Sequence, residues 1–414
     1  MNKFSKKIGL ESLSISCILL ILLFSFSALA EDISVPDSVG TDEKISSTLS
    51  SKIAETSATE RIPVIILLNN QNIQFNTAKG ISQIDNEQKN LMNLLSDAES
   101  IKKAQNVKQI KIINAVAANL TPDIIDSLAK RPEVSAIEPD EVVSIVKGQE
   151  YPFEEIKTLS IVQTNTWGVE KIGAPAVWQQ GITGKGIIVA VVDSGIDVKH
   201  PDLDDLDDNP NTKDPKVAGW IDYINGKTSP YDDYGHGTHV AGIISGTGAN
   251  GIHTGVAPGS KLIAAKVFDQ SGSGYASDVI LAFEWAVNKG ARVISYSSGG
   301  LQHYTPFAIA IDKVVAAGAI PVVAAGNFGS YSNTITCPGD ETNSTTVGAT
   351  DSSDTIAYFS SRGSVTLNGH TYIKPDISAP GVDIESTYPG GSYKIESGTS
   401  MSAPFVSGTV ALII

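Results

Sequence analysis

The sequence predicts an α/β protein of two folded units, and three observations carry that reading. The chain has 414 residues, too many for one ordinary domain. Its 41% apolar and 18% charged residues suit a globular molecule with a sizeable core. Short uninterrupted apolar runs, such as residues 187–192 (IIVAVV), read as strands buried on both faces of a parallel sheet. The formal net charge of −15 argues against a nucleic-acid partner, because phosphate binding needs a basic surface. Two cysteines, Cys17 and Cys337, make no disulfide framework.

Residues 1–30 read as a secretory signal. Lys3, Lys6 and Lys7 precede an uncharged apolar run over 15–26, and Ala28-Leu29-Ala30 fits a small-x-small cleavage pattern. That run is shorter than the ~20 residues that span a bilayer, so no stable membrane anchor is expected after signal cleavage, and the localisation expected is secreted. Residues 31–40 are polar, and the first folded unit is expected within 31–150. In it, residues 63–68 (PVIILL) suit a buried strand, 81–104 a helix, and 110–120 a second strand. Thr121-Pro122-Asp123 opens a helix, with Thr121 as N-cap and Pro122 at its first position. Strand-like segments at 134–137 and 142–146 finish the unit. This alternation predicts a small ferredoxin-like α/β sandwich. Residues 148–166 have no periodicity and read as a linker in which a precursor is cut.

Three patterns in the second unit, 151–414, place a reactive side chain at the end of an element. Asp193 follows the apolar run 187–192, at the carboxyl end where open α/β sheets build their sites. His236, in Gly235-His236-Gly237-Thr238-His239, stands where a helix begins. Ser400, in Gly398-Thr399-Ser400-Met401-Ser402, would open a helix whose first amides point toward developing negative charge. Each has a plainer reading. Asp193 could cap a helix or turn, and Ser400 could be an N-cap alone. His236 and His239 could bind a metal, but no neighbouring Glu completes a zincin pattern, and His239 reads as packed inside the helix. Ser400 is not in an α/β-hydrolase elbow, because the second glycine of G-x-S-x-G is missing.

Taken in the order Asp, His, Ser, these blocks resemble the subtilase family of serine peptidases. Further blocks carry the likeness across residues 167–414. Ser271, Gly272, Ser273 and Gly274 resemble a loop that pairs with extended substrate, and Ser297, Ser298 and Gly299 resemble the opposite strand. Ala324, Ala325, Gly326 and Asn327 resemble the oxyanion segment. Residues 31–150, closing in Val134, Ile137, Glu138, Pro139 and Asp140, resemble the inhibitor-like propeptides of that family. The resemblance implies a subtilisin-like, doubly wound, mostly parallel sheet with helices on both faces. It implies a serine endopeptidase acting on polypeptides, with its own propeptide as partner and no cofactor required for chemistry. In the implied roles Ser400 is nucleophile, His236 the base, Asp193 its orienting group and Asn327 an oxyanion donor. The implied pocket for the residue before the cut lies between 297–299 and 324–326, with Phe328 at the rim and Thr336 and Cys337 at the floor.

Two features cut against the likeness. The sequence ends fourteen residues after Ser400, inside an apparent helix, where subtilase domains continue. An inactive, truncated derivative is therefore the alternative. Calcium is the other question. Asp202, which resembles a family Ca2+ ligand, opens a run with Asp204, Asp205, Asp207 and Asp208. Loop 246–255 looks short for the other ligands, so a solvated acidic loop is the preferred reading and a structural Ca2+ at Asp202 the second.

Overall fold

A computed structural model describes residues 44–146, 164–206, 214–300, 303–367 and 369–414. The signal-like segment and most of the linker lie outside them. Among the described residues, no helix is long and apolar enough to cross a membrane.

The first unit is a four-stranded antiparallel sheet of β1 (Ile62–Leu68), β2 (Ala104–Ile110), β3 (Ala115–Leu120) and β4 (Val134–Pro139), in the order β2-β3-β1-β4. Helices α1 (Ser47–Glu55), α2 (Ala78–Ser100) and α3 (Pro122–Ala129) pack on it. The order of the elements after α1 is β-α-β-β-α-β, as a ferredoxin-like sandwich requires. Strand β1 is apolar throughout because both its faces are covered. Val64, Ile66 and Leu68 join the core beneath the unit's own helices, whereas Ile65 and Leu67 join a core that continues into the second unit.

Two expectations need correction here. The helix expected over 81–104 runs Ala78–Ser100, and Ala104 already begins β2. The strand expected over 110–120 is instead the end of β2, a turn at 111–114, and β3. Asn114 turns the chain there in a left-handed conformation (φ 40°), with its side chain fixed by Asn69 O at 3.0 Å and by Gln88. Thr121 is the N-cap of α3 and Pro122 its first residue, as expected, although the Thr121 hydroxyl bonds the Asp123 carboxylate and not the helix N–H groups.

The second unit is built on a seven-stranded sheet. Its strands are β6 (Ile188–Asp193), β7 (Val217–Asp222), β8 (Lys261–Lys266), β10 (Val293–Tyr296), β11 (Ile320–Ala324), β12 (Thr345–Thr350) and β13 (Ile377–Pro380). All neighbours are parallel, in the order β13-β12-β11-β10-β6-β8-β7. Helices α4 (His236–Ser245) and α7 (Thr399–Ile413) cover one face. Helices α5 (Ala276–Asn288) and α6 (Thr305–Ala316) cover the other. Helices on both faces of a parallel sheet account for the continuous apolar strands in the sequence.

The last strand of the first unit does not finish that unit. β5 (Val142–Ser144) leaves it and pairs, antiparallel, with β9 (Ser273–Tyr275) of the second.

Candidate active site

Adjacent strands β6 and β10 deliver Asp193 and Ser297 side by side, since Val192 pairs with Tyr296. Asp193 is 1% exposed, and its two carboxylate oxygens lie 2.9 and 3.0 Å from His236 Nδ1. The Ser194 N–H also donates to Asp193 Oδ1, at 2.7 Å. Helix α4 can begin this close to the strand only because Gly237 has no side chain. A Cβ there would meet Gly195 O at 2.2 Å. The first turn of α4 is capped by Asp232, whose oxygens accept from Gly235 N, Thr238 N and the Thr238 hydroxyl.

His236 is 6% exposed. Burial opposes its charge, but the charge and hydrogen bonds of Asp193 outweigh that effect and hold the imidazole above its ordinary pKa. Glu396 adds to the negative field around it. Burial would raise the Glu396 carboxyl, yet His239, His236 and Lys394 hold it below the usual range. Glu396 has no local sequence signal, because its place beside His236 comes from the pairing of β14 (Ile384–Tyr388) with β15 (Ser392–Glu396). His239 is buried with Nε2 on the carbonyls of Ile384 and Lys394, as a packed helix residue.

Ser400 is the second residue of α7 and is 4% exposed. Its hydroxyl donates to Ser297 O at 3.0 Å, while the buried His236 Nε2 has no hydrogen-bond partner. The Ser400 hydroxyl is thus bonded to Ser297 and not to His236 Nε2. Asn327 is held from the same helix, with its Oδ1 accepting from Thr399 N and the Thr399 hydroxyl, both at 2.9 Å. This fixes which end of the amide faces the cleft. Nδ2 and the Ser400 N–H both border Gly398, at 3.3 and 3.6 Å from where a Cβ would stand.

The cleft holds the end of the first unit. Ser273, Gly274 and Tyr275 pair with Ser144, Val143 and Val142, and Ile145 N donates to Gly272 O at 2.9 Å. On the other side Gly299 bridges Ser144, and the Ser298 hydroxyl donates to Ser144 O. Residues 142–145 thus form the middle strand of three, as extended peptide does in β-augmentation. At its end the Val146 carbonyl accepts from Asn327 Nδ2 at 2.7 Å. Of the remaining expected substrate residues, Ser271 faces away, with its N–H and hydroxyl on Asp269. Ala324 and Ala325 are buried behind the cleft, and Gly326 N donates to the Thr399 hydroxyl. Thr336 stands between the two glycines. A Cβ on Gly299 would meet its hydroxyl at 2.2 Å, and one on Gly326 its methyl at 2.8 Å.

The first unit docks through residues whose distant partners no local sequence pattern indicates. The first two N–H groups of α5 go to Glu141 O and to the Asp140 carboxylate, which also takes the Ser277 hydroxyl. Glu284 accepts from the N–H groups of Lys111 and Ile112, and the Tyr304 hydroxyl donates to Pro139 O.

Asp204 is exposed, as the solvated-loop reading expects, whereas Asp202 departs from that reading because it is fully buried. Its oxygens accept from Asn250 N at 3.0 Å and from the Tyr393 hydroxyl at 2.7 Å. Those two hydrogen bonds satisfy the buried carboxylate from within the chain. Asp207 and Asp208 lie outside the described residues.

The chain is also similar to known proteins. The profile described as "Subtilase family" matches residues 184–414, and that described as "Peptidase inhibitor I9" matches residues 64–146. The chain is 39% identical to subtilisin E of Bacillus subtilis over 310 residues, which is 74% of this chain and 72% of that protein. It is 41% identical to a subtilisin of Bacillus pumilus over 255 residues, 61% of this chain and 85% of that one. An alkaline protease of Alkalihalobacillus alcalophilus is 33% identical over 343 residues, 82% of this chain and 80% of that protein.

Proposed function

From the premise that the chain belongs to the subtilase family, and is a serine endopeptidase made as a propeptide-bearing precursor, we propose that it is exported and matures by cutting itself after Val146. One observation carries this reading: the Val146 carbonyl lies on the Asn327 amide, where the reacting carbonyl of a substrate would sit. The bond after Val146 falls just before the linker in which the sequence suggested a cut. The export signal over 1–30 lies outside the described residues, and its support is the charge and apolar pattern alone.

In this proposal Ser400 is the nucleophile. Its hydroxyl proton passes to His236 Nε2 as Oγ attacks the carbonyl carbon, and His236 then returns the proton to the leaving amine. Asp193, on Nδ1, fixes the tautomer that leaves Nε2 free and stabilises the imidazolium, without taking the proton itself. The tetrahedral oxyanion would be received by Asn327 Nδ2 and the Ser400 N–H. Water completes the reaction by hydrolysing the acyl-enzyme. The substrate is extended polypeptide, because the cleft grips backbone groups on both sides of the chain. No cofactor enters any step.

The test is expression of the full chain beside its Ser400→Ala variant, each purified free of other proteases. The parent is expected to yield a mature form beginning at Lys147, read by mass spectrometry, and the variant to stay uncut. Normal processing of the purified variant would remove self-cleavage. A mature N-terminus elsewhere in the parent would remove the assignment of the bond.

A further inference from the structure

A second cluster of reactive side chains lies away from the catalytic groups. His303, Asp340 and Glu341 each offer one ligand atom, and the three atoms lie within 4.8 Å of one another. His303 Nδ1 is 3.1 Å from Glu341 Oε1. Asp340 is 4% exposed and Glu341 6%, so two adjacent carboxyl groups are buried together. Asp340 Oδ1 has no hydrogen-bond partner. Native proteins rarely leave such an atom unmatched; the same carboxyl is bonded by the buried Cys337 thiol, a weak donor. The ammonium of Lys374 is engaged by Asp376 and the Ser344 carbonyl, which leaves His303 as the only cationic group bonded to the pair among the described residues. His303 and Asp340 also line one open cavity of about 270 Å³, together with Asn333, Ser364 and Leu367, so solvent and ions reach the cluster.

We propose that His303, Asp340 and Glu341 form a binding site for a divalent transition cation of the zinc class. The choice of metal follows from the donors. One imidazole with two carboxylates suits zinc, whereas calcium prefers oxygen ligands only. Two carboxylates neutralise the charge of the cation, and the cavity leaves the fourth position to water. Binding would replace the His303–Glu341 hydrogen bond by a metal bond to each residue, with the Nδ1 proton moving to Nε2 or to solvent. His303 lies one residue before Tyr304, the N-cap of α6, and Asp340 and Glu341 follow the segment that carries Thr336. A metal there would pin that segment, which borders Gly299 and Gly326, to the helix. The site is independent of the proposed maturation and stands whether or not that is correct.

The experiment uses the full chain carrying Ser400→Ala, so that the sample is not digested. Zinc is titrated by calorimetry, and melting is followed with and without one equivalent. Binding of one zinc per chain is expected, with a rise in melting temperature. His303→Ala is the informative variant, because His303 is exposed, and its melting without zinc is compared with the parent's to separate loss of a ligand from loss of the fold. It should weaken zinc binding by at least tenfold and abolish the thermal shift, and Asp340→Asn should do the same if it melts as the parent does. Zinc bound equally by His303→Ala, or not bound by the parent, would overturn the site. Calcium producing a His303-dependent shift where zinc produces none would overturn the choice of metal.

Discussion

The second unit holds the first in two different ways. In the cleft, residues 142–146 are gripped mainly through backbone groups, by β9, by Ser298 and Gly299, and by the Asn327 amide. On the helical face, the grip comes from particular side chains: Asp140 on the start of α5, Glu284 on the turn after β2, and Lys108 on Asp278. A backbone grip accepts many sequences, as an endopeptidase needs. A face of buried charged contacts accepts one partner, because an unmatched buried charge is costly. General cleavage and specific inhibition are therefore separable on this surface.

The largest expected effect touches neither grip. Asp193→Asn should leave docking intact and lower kcat about 10⁴-fold, through loss of the correct His236 tautomer. In the proposed mechanism His236 must be neutral to act as base, and Asp193 holds its pKa up against burial. Activity should therefore be lost as pH falls through a value above the ordinary histidine pKa. In the variant that midpoint should move down. An unchanged midpoint in the pH profile of kcat/KM would separate Asp193 from this role.

Asn327→Ala attacks the cleft alone. Loss of one oxyanion donor costs about 10²–10³ in kcat, a magnitude measured in subtilisin itself. Binding of the separated propeptide should fall far less, since the helical face is untouched. Equal loss of catalysis and propeptide affinity would break the distinction between the two grips.

The helical face should reveal itself by pH. Burial pushes the Asp140 carboxyl up to about 6, against its hydrogen bonds from Ser277. Once released into water, it should titrate near 3.8. The docked state thus holds its proton more tightly, so docking is favoured at low pH. This contribution should be lost as pH rises from about 4 to 6, by up to roughly 100-fold in affinity. Asp140→Asn should flatten that dependence without changing kcat on short peptides. Affinities measured at pH 4, 5, 6 and 7 decide it, and a variant with the parent's slope would remove Asp140 as the cause.

How legible each part was in the sequence follows the range of its contacts. Asp193 could be placed because an apolar strand followed by Asp is a local pattern, and β1 likewise. β2 was missed because its sequence, AQNVKQI, is polar, with most of its side chains at least partly exposed. α1 was missed for a similar reason: Leu49 is its one fully buried residue. The segment 142–146 was readable as a strand, but its partner lies about 130 residues away, and no local periodicity reports such pairing. Glu396 and the trans contact of Asp140 on α5 were hidden for the same reason. The Asp202 environment was misjudged because five nearby Asp residues suggest solvent, while burial of the first depends on the distant Tyr393 and Asn250.

The smallest expected effect concerns what the backbone grip leaves to side chains. Thr336 fills the space between Gly299 and Gly326, so its methyl and hydroxyl shorten the slot between them. The segment now in the cleft ends in Val146, a small β-branched residue, which suits a short slot. No charged side chain stands among Ser297, Ser298, Gly299, Ala324, Ala325, Gly326 and Thr336. A Lys or Arg side chain there would lose hydration without an ion pair. Small apolar residues should thus be preferred before the cut, with Leu or Met over Phe. Thr336→Gly removes two carbons and a hydroxyl, and a methylene-sized change in an apolar pocket is worth ~1–3 kcal/mol. The variant should raise kcat/KM for Phe relative to Val by roughly 10-fold or more, in a matched set of peptides that differ only at that position. The parent turning over Arg or Lys fastest would overturn this pocket, and an unchanged Phe-to-Val ratio in the variant would place the limit on size elsewhere.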